Sequence, residues 1–314
     1  MFRNLRLYRF ASPWPESESE LSDALRTAAF RPCGAYSEQS SGWESPTGDP
    51  ESPLCRRVAG ADLIRLRSQS RLLPAAAVNE ALEQRLEEYR GRTGQEPTRR
   101  DRRRLKEQTR DELLPKALLK SDRLRGFCLF HERLIGIDTA SEARAEHFLE
   151  RLRAALGDLA VAPLTFRRPV SRLLTEIFLG RGPRPFVLGR ECRLQDPADV
   201  KSSVRCVDMD LADPTVRNHV KEGMVVSHLA VEIGQAFRCV IDDKGTLGKL
   251  KLAGDDESED DTDGIDPLAR LDAEIALLTG TVRQLVETLE RVLGAAEPDG
   301  AFAPDGVTEA GAAA

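Results

Sequence analysis

The side chains best suited to chemistry in this chain are cations. Downstream of Thr98, Arg99, Arg103, Lys106 and Arg110 fall at the spacing of one helical stripe, and Arg100 and Arg104 flank it. Guanidinium forks match phosphate oxygens, and each phosphate they neutralise releases counterions. Few aromatics are interleaved, which favours contact with a duplex backbone over base stacking on single strands. No helix-turn-helix or zinc-finger pattern surrounds the stripe, so such contacts would carry no sequence preference. The same stripe reads equally as a solvated helix face laced with ion pairs to Asp101, Glu107, Asp111 and Glu112.

Other chemistries find little support. Gly245, Gly248 and Lys249 come nearest to a phosphate-cradling loop, but the loop is too short and no hydroxyl follows the lysine. No G-x-S-x-G nucleophile elbow occurs. The six cysteines (Cys33, Cys55, Cys128, Cys192, Cys206 and Cys239) form no C-x-x-C pair, and the 4 histidines form no H-x-x-x-H pair. The cysteines are expected to be small buried hydrophobes, and no zinc site is expected. Acids between Asp255 and Asp266 could attract a divalent cation, but they lack the spacing of a calcium loop and read as a solvated linker. A two-metal nuclease needs carboxylates on rigid elements, which such a run does not supply. The expectation is a protein that is not an enzyme and needs no cofactor or metal.

The elements that must position the cations follow from patterning. Between Arg90 and Arg125 there are 13 Lys/Arg against 6 Asp/Glu, whereas Asp255–Asp266 holds 8 acids and no base; the net charge is −6 over 314 residues. The chain is thus electrically polarised. No apolar run is long enough for a membrane helix, and the start lacks a signal-peptide core, so a cytoplasmic address is expected. Leu5–Phe10 and Leu63–Arg67 alternate like strands. Leu21–Phe30 reads as a helix, and Pro32–Pro53 as loop with at most short strands. Val78, Leu82, Leu86 and Tyr89 mark a helix that Gly91 and Gly94 end. Thr98 and Asp101 have capping-box spacing at the start of the next helix. These two helices form a basic hairpin inserted between strands. Gly126–Phe130 and Leu134–Asp138 read as a β-hairpin, followed by a helix from Ser141 to Leu156 with Gly157 as its C-cap. Strands are expected over Val225–Val231, Ala236–Ile241 and Leu247–Leu252. Leu268 through Val292 step at helical spacing, with Asp266 as N-cap and Pro267 at the first position. The fold class is α+β. The chain divides into a central region (1–74 and 123–170), the hairpin (75–122), a base region (171–294) and a disordered tail (295–314).

Individual segments then point to a family. Phe2, Asn4, Leu5, Tyr8 and Arg9 resemble the F-x-N-L-x-x-Y-R opening of the RdgC proteins. Phe30–Gly34 and Gly42–Trp43 resemble its next landmarks. Leu73, Pro74 and Val78 resemble the motif leading into the inserted hairpin, and Leu113–Pro115 the one closing it. Leu174–Glu176, Asn218–His219, Gly223–Val226, Leu229–Ala230, Asp243–Gly245 and Leu250–Leu252 continue the match, and Leu271–Glu274 with Thr279–Gly280 close it. The resemblance runs from Phe2 to about Leu293.

It implies a horseshoe-shaped subunit whose homodimer closes into a ring, with contacts at the helical tips and at the base. It also implies a basic hole for double-stranded DNA, binding without sequence preference, nucleoid association and restraint of RecA-promoted strand exchange. Relatives can carry lysines just before Asp210–Leu211 and after Gly223, where this chain has Val207, Asp208, Met209 and Met224. That charge is expected to be either lost or moved to Arg205, Arg217 and the arginine-rich hairpin. Leu118 stands where a tip aromatic can occur, and is expected at the tip interface. The rival reading is a protein-interaction adapter whose basic hairpin docks an acidic partner.

Overall fold

Alternating apolar residues leave the chain with two antiparallel sheets, which the helices cover in a mixed α+β arrangement. The computed structural model describes residues 2–199, 201–234, 237–252 and 266–296. In chain order the first half comprises β1 (Arg6–Phe10), α1 (Glu18–Arg26), β2 (Gln39–Glu44), β3 (Cys55–Val58), β4 (Ala61–Leu72), α2 (Ala75–Thr93), α3 (Arg99–Leu113), β5 (Leu118–Leu129), β6 (Leu134–Ile137) and α4 (Glu142–Leu156). The second half comprises β7 (Val161–Pro163), α5 (Val170–Phe178), β8 (Phe186–Gln195), β9 (Ser203–Cys206), α6 (Pro214–Lys221), β10 (Val225–Ile233), β11 (Phe237–Asp242), β12 (Leu247–Leu252) and α7 (Pro267–Leu293).

The first sheet runs β2-β4-β5-β6-β1-β7, with β3 also on β4; the second runs β12-β11-β10-β8-β9. Two apolar clusters follow from the pleat, which sends alternate residues to opposite faces. On one face of the first sheet, Tyr8, Ile64, Leu66 and Ile135 pack with Leu21 and Leu25 of α1 and Phe148, Leu149 and Leu152 of α4. On the other face, Leu7, Leu63, Phe127 and Leu129 join a larger core that includes α5, α7 and the second sheet. The step of three or four residues along α7 places Ile275, Leu278, Val282, Leu285 and Leu289 in that core. Arg56 grips Asp272 through Nε at 3.0 Å and a second nitrogen at 2.5 Å, and Arg283 pairs with Glu132 at 2.5 Å, so charge also ties α7 to the first sheet.

Several elements depart from the sequence-based expectations. The first helix is Glu18–Arg26 rather than Leu21–Phe30. Ser17 caps it by accepting the Glu20 N–H at 3.1 Å, and after Thr27 the chain turns extended to bond with Trp43. Gly42 permits that approach, because a Cβ there would lie 2.5 Å from the Phe30 Cα. Gly91 lies inside α2, and Gly94, at φ +67°, ends it. β5 begins at Leu118 rather than Gly126 and pairs with β4 along its whole length. Helix α5 and strand β8 carried no expectation. Ala236 and the acidic run from Asp255 through Ile265 lie outside the described residues, as does the tail beyond Ala296. All six cysteines are buried and free, as expected.

Candidate nucleic-acid interface

The basic helix α3 is built from its first residue. The Thr98 hydroxyl accepts the Asp101 N–H at 3.2 Å, and the Asp101 carboxylate accepts from the Thr98 N–H at 3.3 Å and its hydroxyl at 2.6 Å. This is the reciprocal cap the spacing predicted. The Thr98 hydroxyl bond outweighs a burial penalty and, with the Thr98 N–H and Arg104, holds the Asp101 carboxyl below its ordinary pKa. Thr109 is buried against α2, and Arg102 reaches Glu83 on α2 at 3.7 Å. That orientation leaves Arg99, Arg100, Arg103, Arg104, Lys106 and Arg110 exposed.

The structure shows how much of this charge is already engaged. Arg103 pairs with Glu107 at 3.1 Å, Arg104 with Asp101 at 2.9 Å, and Arg110 with Glu38. Glu112 instead pairs with Arg85 of α2. Exposed pairs of this kind contribute about 0.2–1 kcal/mol each, so a phosphate can displace them. Arg99, Arg100 and Lys106 have no carboxylate partner among the described residues.

A second group of cations was not recognised from sequence. Strands β4 and β5, each 12 residues long, pair from Ala61–Leu129 to Leu72–Leu118. One face opens apolar, with Ala61 opposite Leu129 and Leu63 opposite Phe127 in the larger core. Its next two rungs are Arg65 opposite Arg125 and Arg67 opposite Arg123. Like charges directly opposite each other destabilise a sheet. Among the described residues one acid pairs with three of them: Glu44 of β2 is 2.9 Å from Arg65, 2.8 Å from Arg123 and 3.6 Å from Arg67. Arg67 also stacks 4.3 Å over the Phe30 ring. Burial pushes the Arg65 pKa down; Glu44 opposes this, and Arg125, Arg123 and Arg67 add to the decrease. The guanidinium nevertheless stays charged. The signal lay in the alternation Arg65-x-Arg67 and Arg123-x-Arg125, which becomes a cluster only once the strands are in register.

Outside these two groups, the expected residues Leu118, Arg205 and Arg217 are dispersed. Arg71, at the far end of the ribbon, bonds the carbonyls of Leu114, Pro115 and Ala117 at 3.1–3.2 Å and so fastens the hairpin to the sheet. Leu118 starts β5 beside that junction and is 77% exposed, opposite Leu72 at 49%. Arg205 lies on β9 of the second sheet, 3.3 Å from Glu191. Arg217 lies on α6, partly buried beside Gly180. Among the described residues, no three or more His, Cys, Asp or Glu side chains gather as metal ligands, and no helix is long and apolar enough to cross a membrane.

Comparison with known proteins covers nearly the whole chain. The family model described as "Putative exonuclease, RdgC" matches residues 1–296. A protein of Aeromonas hydrophila named recombination-associated protein RdgC is 31% identical over 299 residues, covering 94% of this chain and 98% of its own. Its namesake in Shewanella oneidensis is 32% identical over 302 residues, with the same coverage. With the match spanning both sheets, the hairpin and the long C-terminal helix, the chain belongs to the RdgC family.

Proposed function

We propose that this protein binds double-stranded DNA without sequence preference, acting in recombination. The observation that carries the reading is the pair of arginine rungs on β4 and β5, four guanidiniums of which three share one glutamate. Such a cluster costs stability unless a polyanion relieves it, and a phosphate backbone does so without reading bases. The exposed stripe on α3 adds cations at the other end of the same ribbon, and the relatives are named for recombination. In this reading two copies meet through the apolar surface at Leu118 and Leu72 and enclose the duplex. The residues on the duplex are Arg65, Arg67, Arg123 and Arg125 with Arg99, Arg100, Arg103, Arg104, Lys106 and Arg110; Arg205 and Arg217 contribute from the base. Occupied DNA is then closed to RecA-promoted strand exchange, and the protein resides on the nucleoid.

The test is a gel shift on duplexes of one length and several unrelated sequences, across a salt series. Similar affinity for all, falling steeply with salt, is the expected result. Negligible binding at low salt would favour the adapter reading. The family description also names an exonuclease, so the assay is repeated on end-labelled duplex with magnesium. Release of labelled nucleotides would replace binding by hydrolysis as the function.

A further inference from the structure

One face of the second sheet carries a row of polar and charged side chains. Arg205 on β9 lies opposite Arg193 on β8, Arg193 opposite His228 on β10, and His228 opposite Asp242 on β11. These residues, with Glu191 and Lys249, line a cavity of about 520 Å³. The sheet is irregular where it meets the cavity. The β8–β10 register shifts between Val226 and His228, and the β11–β12 register shifts between Arg238 and Val240, opposite Lys249. Lys249 has φ +52°, a left-handed conformation that a glycine would adopt at less cost. Bulges and strained residues re-aim side chains beside functional sites. Here they deliver the lysine amine to Glu191, which it contacts directly.

Glu191 bridges two of the cations. It takes Lys249 on one oxygen and Arg205 on the other at 3.3 Å. Burial opposes its charge, but the bonds from Lys249 and Arg205 outweigh that and hold its pKa below the ordinary range. Asp242 is not available to these cations in the same way, because one carboxylate oxygen accepts the N–H groups of Lys244 at 3.0 Å and Thr246 at 2.6 Å within the turn. Arg193 has no carboxylate partner among the described residues. The arrangement is that of an oxyanion site with its own carboxylate lodged in it.

We infer that Arg193, Arg205 and Lys249 form a phosphate-binding station on the second sheet, and that Glu191 is a resident competitor that a DNA phosphate displaces. The inference rests on the duplex-binding reading and adds to it a site remote from the β4–β5 ribbon, with an internal anion that moderates affinity. It also carries an unusual sign, since removing a side chain at the interface should strengthen binding.

The test uses the full chain, fluorescence anisotropy with labelled duplex, and the variants Glu191→Gln and Arg193→Ala/Lys249→Ala. Glu191→Gln is expected to tighten binding roughly two- to fivefold, the scale of an exposed ion pair released. That gain cannot arise from misfolding. Arg193→Ala/Lys249→Ala is expected to weaken binding equally on all sequences and to flatten the dependence of log affinity on log salt by about 0.9 for each phosphate no longer neutralised. Wild-type binding with both variants unchanged would overturn the station and leave the duplex-binding reading standing. No wild-type binding would sink both. A parallel thermal-shift titration with inorganic phosphate separates the sources: stabilisation abolished in Arg193→Ala/Lys249→Ala, with unchanged duplex affinity, would assign the site to free phosphate and overturn the DNA role.

Discussion

Arg65 and Arg125 face each other across two neighbouring strands, as do Arg67 and Arg123, and one glutamate serves three of the four. Each arginine was visible in the sequence, but their opposition was not, because register is a property of two strands. The α3 cations were legible individually, since helical spacing alone places them on one stripe. What the sequence left open was their pairing; Glu107 and Asp101 do take Arg103 and Arg104, whereas Glu112 turns to Arg85. Two double reversals measure the weight of each group. Arg103→Glu/Arg104→Glu and Arg67→Glu/Arg123→Glu should each weaken duplex binding by roughly tenfold or more, since charge repulsion adds to the missing counterion release. Arg26→Glu/Arg31→Glu, at exposed positions on neither group, should weaken it less. Equal losses in all three variants, read by gel shift at one salt concentration, would show that only net charge matters.

Among the elements, α3 depends most on local sequence. Its inward face offers little beyond Thr109 and partly buried Leu105 and Leu113, so its reciprocal cap carries more weight than it would on a core helix. Thr98→Ala should cost about 1 kcal/mol of local stability. Amide hydrogen exchange is expected to speed up in α3 while α7 stays protected. The Asp101 half of the cap also sets a pH dependence. Its carboxyl is depressed in the folded state, so the contribution is complete above the unfolded value of about 3.9 and is lost as pH falls through the lower folded value. Strong local signals made α3, α4 and α7 legible, each with its cap where the residues indicated. Elements defined by partners were read less well. α1 stops short because Ala28–Phe30 bonds to Trp43, and β5 reaches back to Leu118 because β4 is there to pair with it. β8 is interrupted by register shifts against β10, which erase the simple alternation that would have marked it.

Across the molecule, the α+β class and the order of most elements could be read from patterning, whereas the joining of the two sheets could not. One core includes Leu63 and Phe127 of the first sheet, Leu229 and Ile241 of the second, and the length of α7 between them. The hairpin is different. Val78, Leu82, Leu86 and Leu114 are buried there but belong to neither large cluster. Beside it, Leu118 and Leu72 expose an apolar surface of the sort that a second copy would cover. Leu118→Asp should therefore weaken self-association, seen as a shift toward monomer in sedimentation velocity, with unfolding of the monomer unchanged. An unaltered dimer would move the contact elsewhere.

The shared core has a mechanical consequence. Two sheets bolted through one long helix behave as a stiff block, with no hinge at which they can part without exposing that core. The β4–β5 ribbon runs out from this block, braced by β2 along β4 as far as Ser70 and packed through Leu66 and Leu124, and carries the hairpin on its far end. Bending should concentrate where that bracing ends, past Ser70 and Lys120, so the hairpin can swing while the arginines of β4 and β5 stay fixed at the root.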